Sequence, residues 1–519
     1  MSARTDRLVY AAALVLGALP LWVSSHLPMV DLPQHLHLIS VLHRLDDPTT
    51  LYPQLFATRQ ELTPYLGYYY AVSLLNWLLP LDAANRLFLS AYVVGLPLSL
   101  AFLLRGLGRP TWPSLLALPL AYGDNFAWGF VNYLAAQPLS LLCCGLFLRA
   151  LTDTPRRRAW AAGLGACLVA VLLFHVQAFA YLGLALPWLL LITPVPEDAG
   201  THGLAARLRP RLPALLGVVP GVGLFLSWVV LRLGQPAEVE AGAPWKAWGP
   251  MLSPQNLDWK GFERNLAELF DVLANLLRDG SDRWPLYAVG LVAVSTLVLG
   301  FDRAPTSEGA VARWSLMGLL VLALGCFFLL PFDIHGYIYY LNTRYAQLAA
   351  VLAVACLPVT PPEPRRPLLW ASAACALVLA FTLGSGFRAF SREAAEWDAL
   401  VEATAPRPRV MGLVFDAGSH VVRHPVFLHG AAELARARGG STNFSFALTP
   451  HSPLRYRVTP PPTFPSEWRP HEFDYATQGP AYDHFLVRGI HPSRIFGARL
   501  QEELAVAAQA GDSYLVRRR

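Results

Sequence analysis

Four stretches of this sequence carry side chains able to hold a charge or move a proton. MVDLPQHLHLISVLHRLDD, residues 29–47, sets Asp31 four positions ahead of His35, with His37, His43, Arg44, Asp46 and Asp47 following. A spacing of four puts Asp31 and His35 on one helix face. There the carboxylate serves as a general base or a metal ligand. Asp31 also precedes Pro33 in a good N-cap position, and the two roles are compatible. AYGDNFAWGFVNY, residues 121–133, holds Asp124 and Asn125 in a Gly-Asp-Asn sequence suited to a turn. Two carboxylates sharing one surface repel, and persist by binding a cation or by dividing acid and base roles. His175, in LLFHVQAFA, interrupts a long apolar run and either caps a helix end or meets substrate. PFDIHGYIYYLNTRYA, residues 331–346, supplies Asp333, His335, Tyr337, Tyr339, Tyr340, Asn342 and Arg344. Arg344 opens an apolar segment, so it wants a partner. That partner is Asp333, a lipid headgroup, or a phosphate, whose geometry the guanidinium fork matches. Candidate ligands for a divalent cation are Asp31, Asp124 and His35.

The elements that position these side chains are membrane helices. The chain has 519 residues, of which 54% are hydrophobic and 15% charged, and its mean hydropathy is +0.39. Soluble domains carry about a quarter charged residues, so this is an integral membrane protein. The formal charge of +6 does not indicate nucleic acid, because the arginines cluster between apolar runs. A spanning helix needs roughly 20 apolar residues. Expected spans are 8–25, 86–104, 111–123, 128–150, 158–174, 177–193, 212–233, 286–301, 314–331, 344–360 and 367–386. The segment 65–81 is rich in aromatics and broken by Pro80. If it lies along the membrane surface, then Arg105/Arg109, Arg156–Arg158, Arg207/Arg209/Arg211 and Arg365/Arg366 all fall on one side, as basic residues in cytoplasmic loops do. The expected topology is therefore about eleven spans with the N-terminus cytoplasmic.

The other face then carries the chemistry: a first loop 26–85, a loop 234–285, and the tail 387–519. In the loop 234–285, Trp245, Lys246, Trp248, Trp259, Lys260 and Trp284 accompany an amphipathic helix near 261–279, whose apolar stripe holds Phe262, Leu266, Leu269, Phe270 and Leu273. This helix either covers the protein or forms a lid over a cavity. The tail shows strand-like runs at 410–415, 485–488 and 514–517 and a helical stretch at 495–509, which together indicate a small α/β domain. The domains are thus 1–386, transmembrane, and 387–519, extracytoplasmic α/β. All six cysteines lie in apolar runs and act as small hydrophobes. Lysine occurs only at 246 and 260, with arginine used elsewhere, the coding bias of a GC-rich bacterial genome. The location is then a bacterial inner membrane.

The plan resembles the GT-C class of membrane glycosyltransferases, the group of protein mannosyltransferases, aminoarabinose transferases and oligosaccharyltransferase catalytic subunits. One span leads into a large loop with an acid near its start, an acid lies between the next spans, and a polytopic bundle ends in an outer domain. Asp31 matches the first-loop acid of that class and Asp124 the second-loop acid. Where many members have two adjacent acids, Leu32 follows Asp31, and where many have D-x-D, Asn125 and Phe126 follow Asp124. The resemblance implies a GT-C-like fold and transfer of a sugar from a polyprenyl-phosphate donor on the extracytoplasmic face, with inversion. Asp31 and Asp124 would be the catalytic residues, and His35, His175, Arg344, Tyr340 and Asn342 would bind substrate. The partners implied are the polyprenyl-phosphate-linked sugar and membrane lipids, without nucleic acid. Two other classes compete. A lipid or solute transporter would carry mid-span ionisable residues and repeats, whereas the sequence has His175 in a span break but no mid-span Asp, Glu or Lys, and no repeat. A non-catalytic membrane scaffold would leave Asp31, Asp124 and Arg344 scattered.

Overall fold

The computed structural model describes residues 3–194, 211–233, 253–299, 307–335, 338–358, 365–449 and 451–519. Arg207, Arg209, Trp245, Lys246, Trp248 and Tyr337 lie outside the described residues. Among the described residues, six helices are long and apolar enough to cross a membrane: Leu81–Gly106, Val131–Thr152, Thr154–Phe174, Leu212–Leu231, Gly309–Leu329 and Arg366–Ala403. Three shorter apolar helices accompany them: Val176–Ile192, Arg283–Val298 and Arg344–Ala355. The first helix, Ala3–Ala18, ends in a short 3-10 turn at Leu19–Leu21, where Pro20 cannot extend the α-helical ladder.

One expected span is not a regular helix. Residues 111–123 form a 3-10 turn at Trp112–Leu116 and a four-residue helix at Ala117–Leu120, with Pro113 and Pro119 removing the backbone donors a long helix requires. The expected surface segment 65–81 contains the helix Gly67–Leu75. At about 1.5 Å per residue its nine residues reach about 14 Å, too short to cross a bilayer. Beyond its end Trp77 and Leu78 are 73% and 84% exposed, side chains suited to a lipid boundary.

Arg366 and Arg109 mark one end of the bundle. Arg366 reaches Asp6 at the start of the first helix at 3.4 Å. Arg109 bonds the Leu357 carbonyl, just past the helix that begins at Arg344. Arg344 therefore stands at the other end.

The last apolar helix does not stop at 386. It runs as Arg365–Ala403, about 58 Å at the same rise, and its far half docks on the tail. There Arg488 Nε meets Glu396 Oε1 at 3.1 Å, both side chains nearly fully buried, and the Arg488 guanidinium lies 3.9 Å from the Phe427 ring centre. Val422, Val426, Phe427 and Leu428 belong to the same apolar core as the bundle.

Among the described residues nine strands form three sheets. β1 (Phe56–Thr58) in the first loop pairs antiparallel with β6 (Leu454–Tyr456) of the tail. β2 (Leu257–Asp258) pairs with β3 (Asp333–Ile334). The tail sheet has the order β5-β4-β7-β9-β8, comprising β4 (Arg409–Val414), β5 (Ser441–Thr442), β7 (His484–Arg488), β8 (Leu504–Ala510) and β9 (Ser513–Arg518). β4 runs parallel to β5 and β7, while β9 is antiparallel to β7 and β8. The strand expectations at 410–415, 485–488 and 514–517 match β4, β7 and β9. The expected helix at 495–509 is replaced by two short turns, Ser493–Phe496 and Arg499–Glu502, and then strand β8. Its Ala-rich sequence favours a helix, but pairing across the two-residue turn Gly511-Asp512 wins, with Gly511 at φ +53°.

Candidate active site

Asp31 begins the first-loop helix Leu32–His43. It occupies the N-cap position, but its side chain makes no capping bond. Its backbone is tied elsewhere: Val30 N donates to the Ala127 carbonyl at 2.9 Å, and Asp31 N to the Trp128 carbonyl at 3.1 Å. Those acceptors end the short helix Asp124–Trp128, which begins with the second acid. Gly129 makes the crossing possible. Its φ is +84°, and a Cβ there would stand 3.1 Å from Asp31 N. Asp124 is therefore the first residue of a helical turn laid against the Asp31 backbone.

The same turn reaches Arg344. Asn125 Nδ2 donates to the Arg344 carbonyl at 3.2 Å, and Tyr133 Oη to the same oxygen at 2.9 Å. The guanidinium lies over Phe130 and the Tyr340 ring against Trp128, the residues that follow and end the Asp124 turn. Asp31, Asp124, Tyr340 and Arg344, read separately in the sequence, converge at one end of the bundle.

Arg344 is held but not saturated. Its Nη1 stands 2.9 Å from His175 Nε2, its Nη2 donates to the Tyr339 carbonyl at 3.1 Å, and its cationic carbon lies 4.2 Å from the Phe130 ring centre. Its Nε is buried without a partner. His175 breaks the helix pair Arg157–Phe174 and Val176–Ile192 and accepts from Gln177 N at Nδ1, 3.2 Å. A neutral imidazole has a single acceptor nitrogen. The Gln177 cap and the guanidinium therefore compete for it, and Arg344 keeps a donor to spare. Asp333 does not pair with Arg344. Its Oδ1 accepts from Tyr340 N at 2.8 Å, and among the described residues no carboxylate lies within salt-bridge distance of the guanidinium.

Two tyrosines hold left-handed backbone at this site, Tyr65 at φ 75° and Tyr340 at φ 57°. Such strain in a bulky residue persists only where the surroundings enforce it. Tyr65 packs edge-on against His175, ring centres 4.7 Å apart, and Tyr340 lies 4.6 Å from Trp128. Burial, and then the carboxylates Asp124, Asp333 and Asp31, push the Tyr340 hydroxyl up to about 12. It therefore remains a neutral hydrogen-bond donor at ordinary pH.

His35 lies beside this cluster. Its Nδ1 meets Tyr69 Oη at 2.8 Å, and Phe446 closes over the ring at 5.1 Å. Burial pushes the imidazole down to about 4 against the pull of Asp31, so it is neutral. Asn342 points away, its amide donating to Asn265 Oδ1 at 3.2 Å and to the Phe327 carbonyl at 2.8 Å. It pins the 331–346 segment to the amphipathic helix Phe262–Leu273. That helix covers the Asp124 turn: a Cβ at Gly123 would stand 2.8 Å from the Val272 carbonyl. Its Phe262, Leu266 and Phe270 remain exposed, while Leu269 and Leu273 pack on the core.

Sequence reasoning missed the tail's contribution. The segment His424–His429 delivers one imidazole to each acid: His424 Nε2 stands 2.8 Å from Asp124 Oδ1, and His429 Nε2 3.3 Å from Asp31 Oδ1. Behind His429, its Nδ1 faces Glu467 Oε2 at 3.5 Å. Burial works against the His429 cation, but Glu467 and Asp31 outweigh it, and the imidazole is raised above its ordinary value. Burial raises Glu467 as well, against the pull of His429. The donor set does not suit a bound cation. Each acid already accepts from an imidazole, His35 is committed to Tyr69, and among the described residues no three His, Cys, Asp or Glu are placed to hold one metal ion.

No protein-family profile matches the chain, and no curated protein matches it. Solved structures do. ArnT from Cupriavidus metallidurans bound to undecaprenyl phosphate is 12% identical with a TM-score of 0.56, over 99% of this chain and 98% of that one. The same protein in the apo state gives a TM-score of 0.57 at the same identity and coverage. At 12% identity this is a likeness of fold. The chain shares the fold of ArnT, the GT-C-like architecture that the resemblance implied.

Proposed function

We propose that this protein is an inverting glycosyltransferase that moves a sugar from a polyprenyl-phosphate donor to an acceptor hydroxyl at the extracytoplasmic face of a bacterial inner membrane. The observation that carries the reading is the convergence of Asp31, Asp124 and an under-satisfied Arg344 at one end of a GT-C fold. The ArnT neighbour was captured with undecaprenyl phosphate, which supports a lipid-phosphate donor here.

In the proposed reaction Asp31 takes the proton of the acceptor hydroxyl. That oxygen bonds to the anomeric carbon opposite the phosphate, and the carbon–oxygen bond to phosphate breaks with its electron pair remaining on the phosphate. Arg344 meets the added charge with the spare donor that His175 does not accept, and Tyr340 donates a neutral hydrogen bond nearby. His429, backed by Glu467, and His424 orient the two acids. No step is routed through a metal ion. The interfacial helix Gly67–Leu75 and the helix Phe262–Leu273 hold the isoprenoid tail at bilayer depth.

The test is incubation of membranes carrying the protein with labelled polyprenyl-phosphate sugars. Label moving to an acceptor only when the protein is present supports the reading. A protein verified as folded that moves no label from any such donor overturns it.

A further inference from the structure

A second polar depression lies away from the acids, where β1 of the first loop pairs with β6 of the tail. It has a volume of about 490 Å³ and is lined by Leu45, Ala57, Arg59, Glu61, Arg455 and Arg457, among others. The register explains the charge. Phe56 pairs with Tyr456 and Ala57 with Arg455, Arg59 N bonds the Pro453 carbonyl and Arg457 N the Leu55 carbonyl. Alternation along a strand therefore places Arg59, Arg455 and Arg457 on one face of the ribbon, and Phe56, Leu454 and Tyr456 on the other. The apolar face is buried, with Phe56 and Tyr456 rings 4.8 Å apart. The arginine face is left to form the depression.

Three guanidiniums there face one carboxylate. Arg59 Nη1 lies 3.5 Å from Glu61 Oε2 while its Nε is buried without a partner. Arg457 spends its Nε on the Phe56 carbonyl at 2.7 Å. Arg455 has no side-chain partner among the described residues and is exposed. We infer that this depression binds the phosphate of an anionic lipid headgroup. A guanidinium fork fits phosphate geometry, and three held on a paired ribbon are preorganised for it. The lipid source follows from position. Leu45 is two residues past His43, whose ring packs 4.7 Å from Trp77, and Trp77 and Leu78 are the exposed residues just beyond the interfacial helix. The depression therefore opens at bilayer level. This inference rests on the placement of that helix at the membrane and not on the transfer reaction.

The test uses the detergent-solubilised full chain and counts bound dioctanoyl phosphatidylglycerol, dioctanoyl phosphatidylcholine or inorganic phosphate by native mass spectrometry. The phosphatidylglycerol should bind saturably and at least about tenfold tighter than the zwitterionic lipid, the ratio one charge-assisted hydrogen bond supplies. Arg455→Glu should remove that preference without changing the melting temperature, because Arg455 is exposed. Unchanged phosphatidylglycerol binding in both Arg455→Glu and the Arg59→Ala/Arg455→Ala double variant overturns the proposal. So does inorganic phosphate displacing the lipid at equal concentration, which would mark a free-anion site.

Discussion

His429 reaches Asp31 from 398 positions further along the chain, its Nε2 3.3 Å from the carboxylate Oδ1, and Glu467 stands behind the same ring at 3.5 Å. The first loop supplies the acid and the tail supplies the imidazole that orients it. The candidate site is thus complete only when the tail is docked on the bundle.

His429→Gln keeps the shape and a hydrogen bond to Asp31 but removes the titration. Because the folded protein raises the His429 imidazole above 6.5, that proton adds stability below pH 6.5, and the contribution is lost as pH rises through the raised value. Melting temperatures from about pH 5.5 to about pH 8.5 should therefore fall more steeply in the wild type than in His429→Gln. Parallel curves would mean that His429 carries no such coupling.

Arg344→Lys keeps the charge and loses the planar fork. Donor binding should weaken by about tenfold or more, the worth of one charge-assisted hydrogen bond, and His175 should then be left to the Gln177 cap alone. Titration with labelled polyprenyl phosphate reads this directly. Equal affinity would remove the phosphate from Arg344.

Asn342→Ala should behave differently. Its amide holds Asn265 and the Phe327 carbonyl, so the loss is expected in melting temperature, by about 1–3 kcal/mol of stability, with donor affinity nearly unchanged. A selective rise in KM at normal stability would return Asn342 to the substrate.

Gly129→Ala tests the crossing beneath the two acids. The positive φ and the 3.1 Å approach to Asp31 N make the substitution cost about 1 kcal/mol or more. Transfer should fall with it, because Asp31 must shift. Wild-type stability and rate together would show that the Asp31–Trp128 crossing is not needed.

Much of this arrangement was legible in the sequence because a bilayer makes polar residues conspicuous. Asp31, Asp124 and Arg344 stood out at the ends of apolar runs, and the charge rule placed them together. His424, His429 and Glu467 were not legible, since histidine and glutamate are ordinary in a polar tail and only tertiary docking brings them to the acids. The 495–509 segment misled through its alanines: local propensity favoured a helix, while the β9 partner imposed a strand. The boundary at 386 followed the end of the apolar run, but the helix continues to Ala403 because Glu396 finds Arg488 and Ser513 on the tail sheet. The expected span 111–123 was apolar enough, yet its prolines broke the helix.

The most direct measurement is the transfer rate of Asp31→Asn with a labelled polyprenyl-phosphate sugar, alongside donor binding by the same variant. The account predicts a fall of about 10²–10⁴-fold in transfer with donor affinity retained. Transfer at the wild-type rate in a folded Asp31→Asn protein would contradict it.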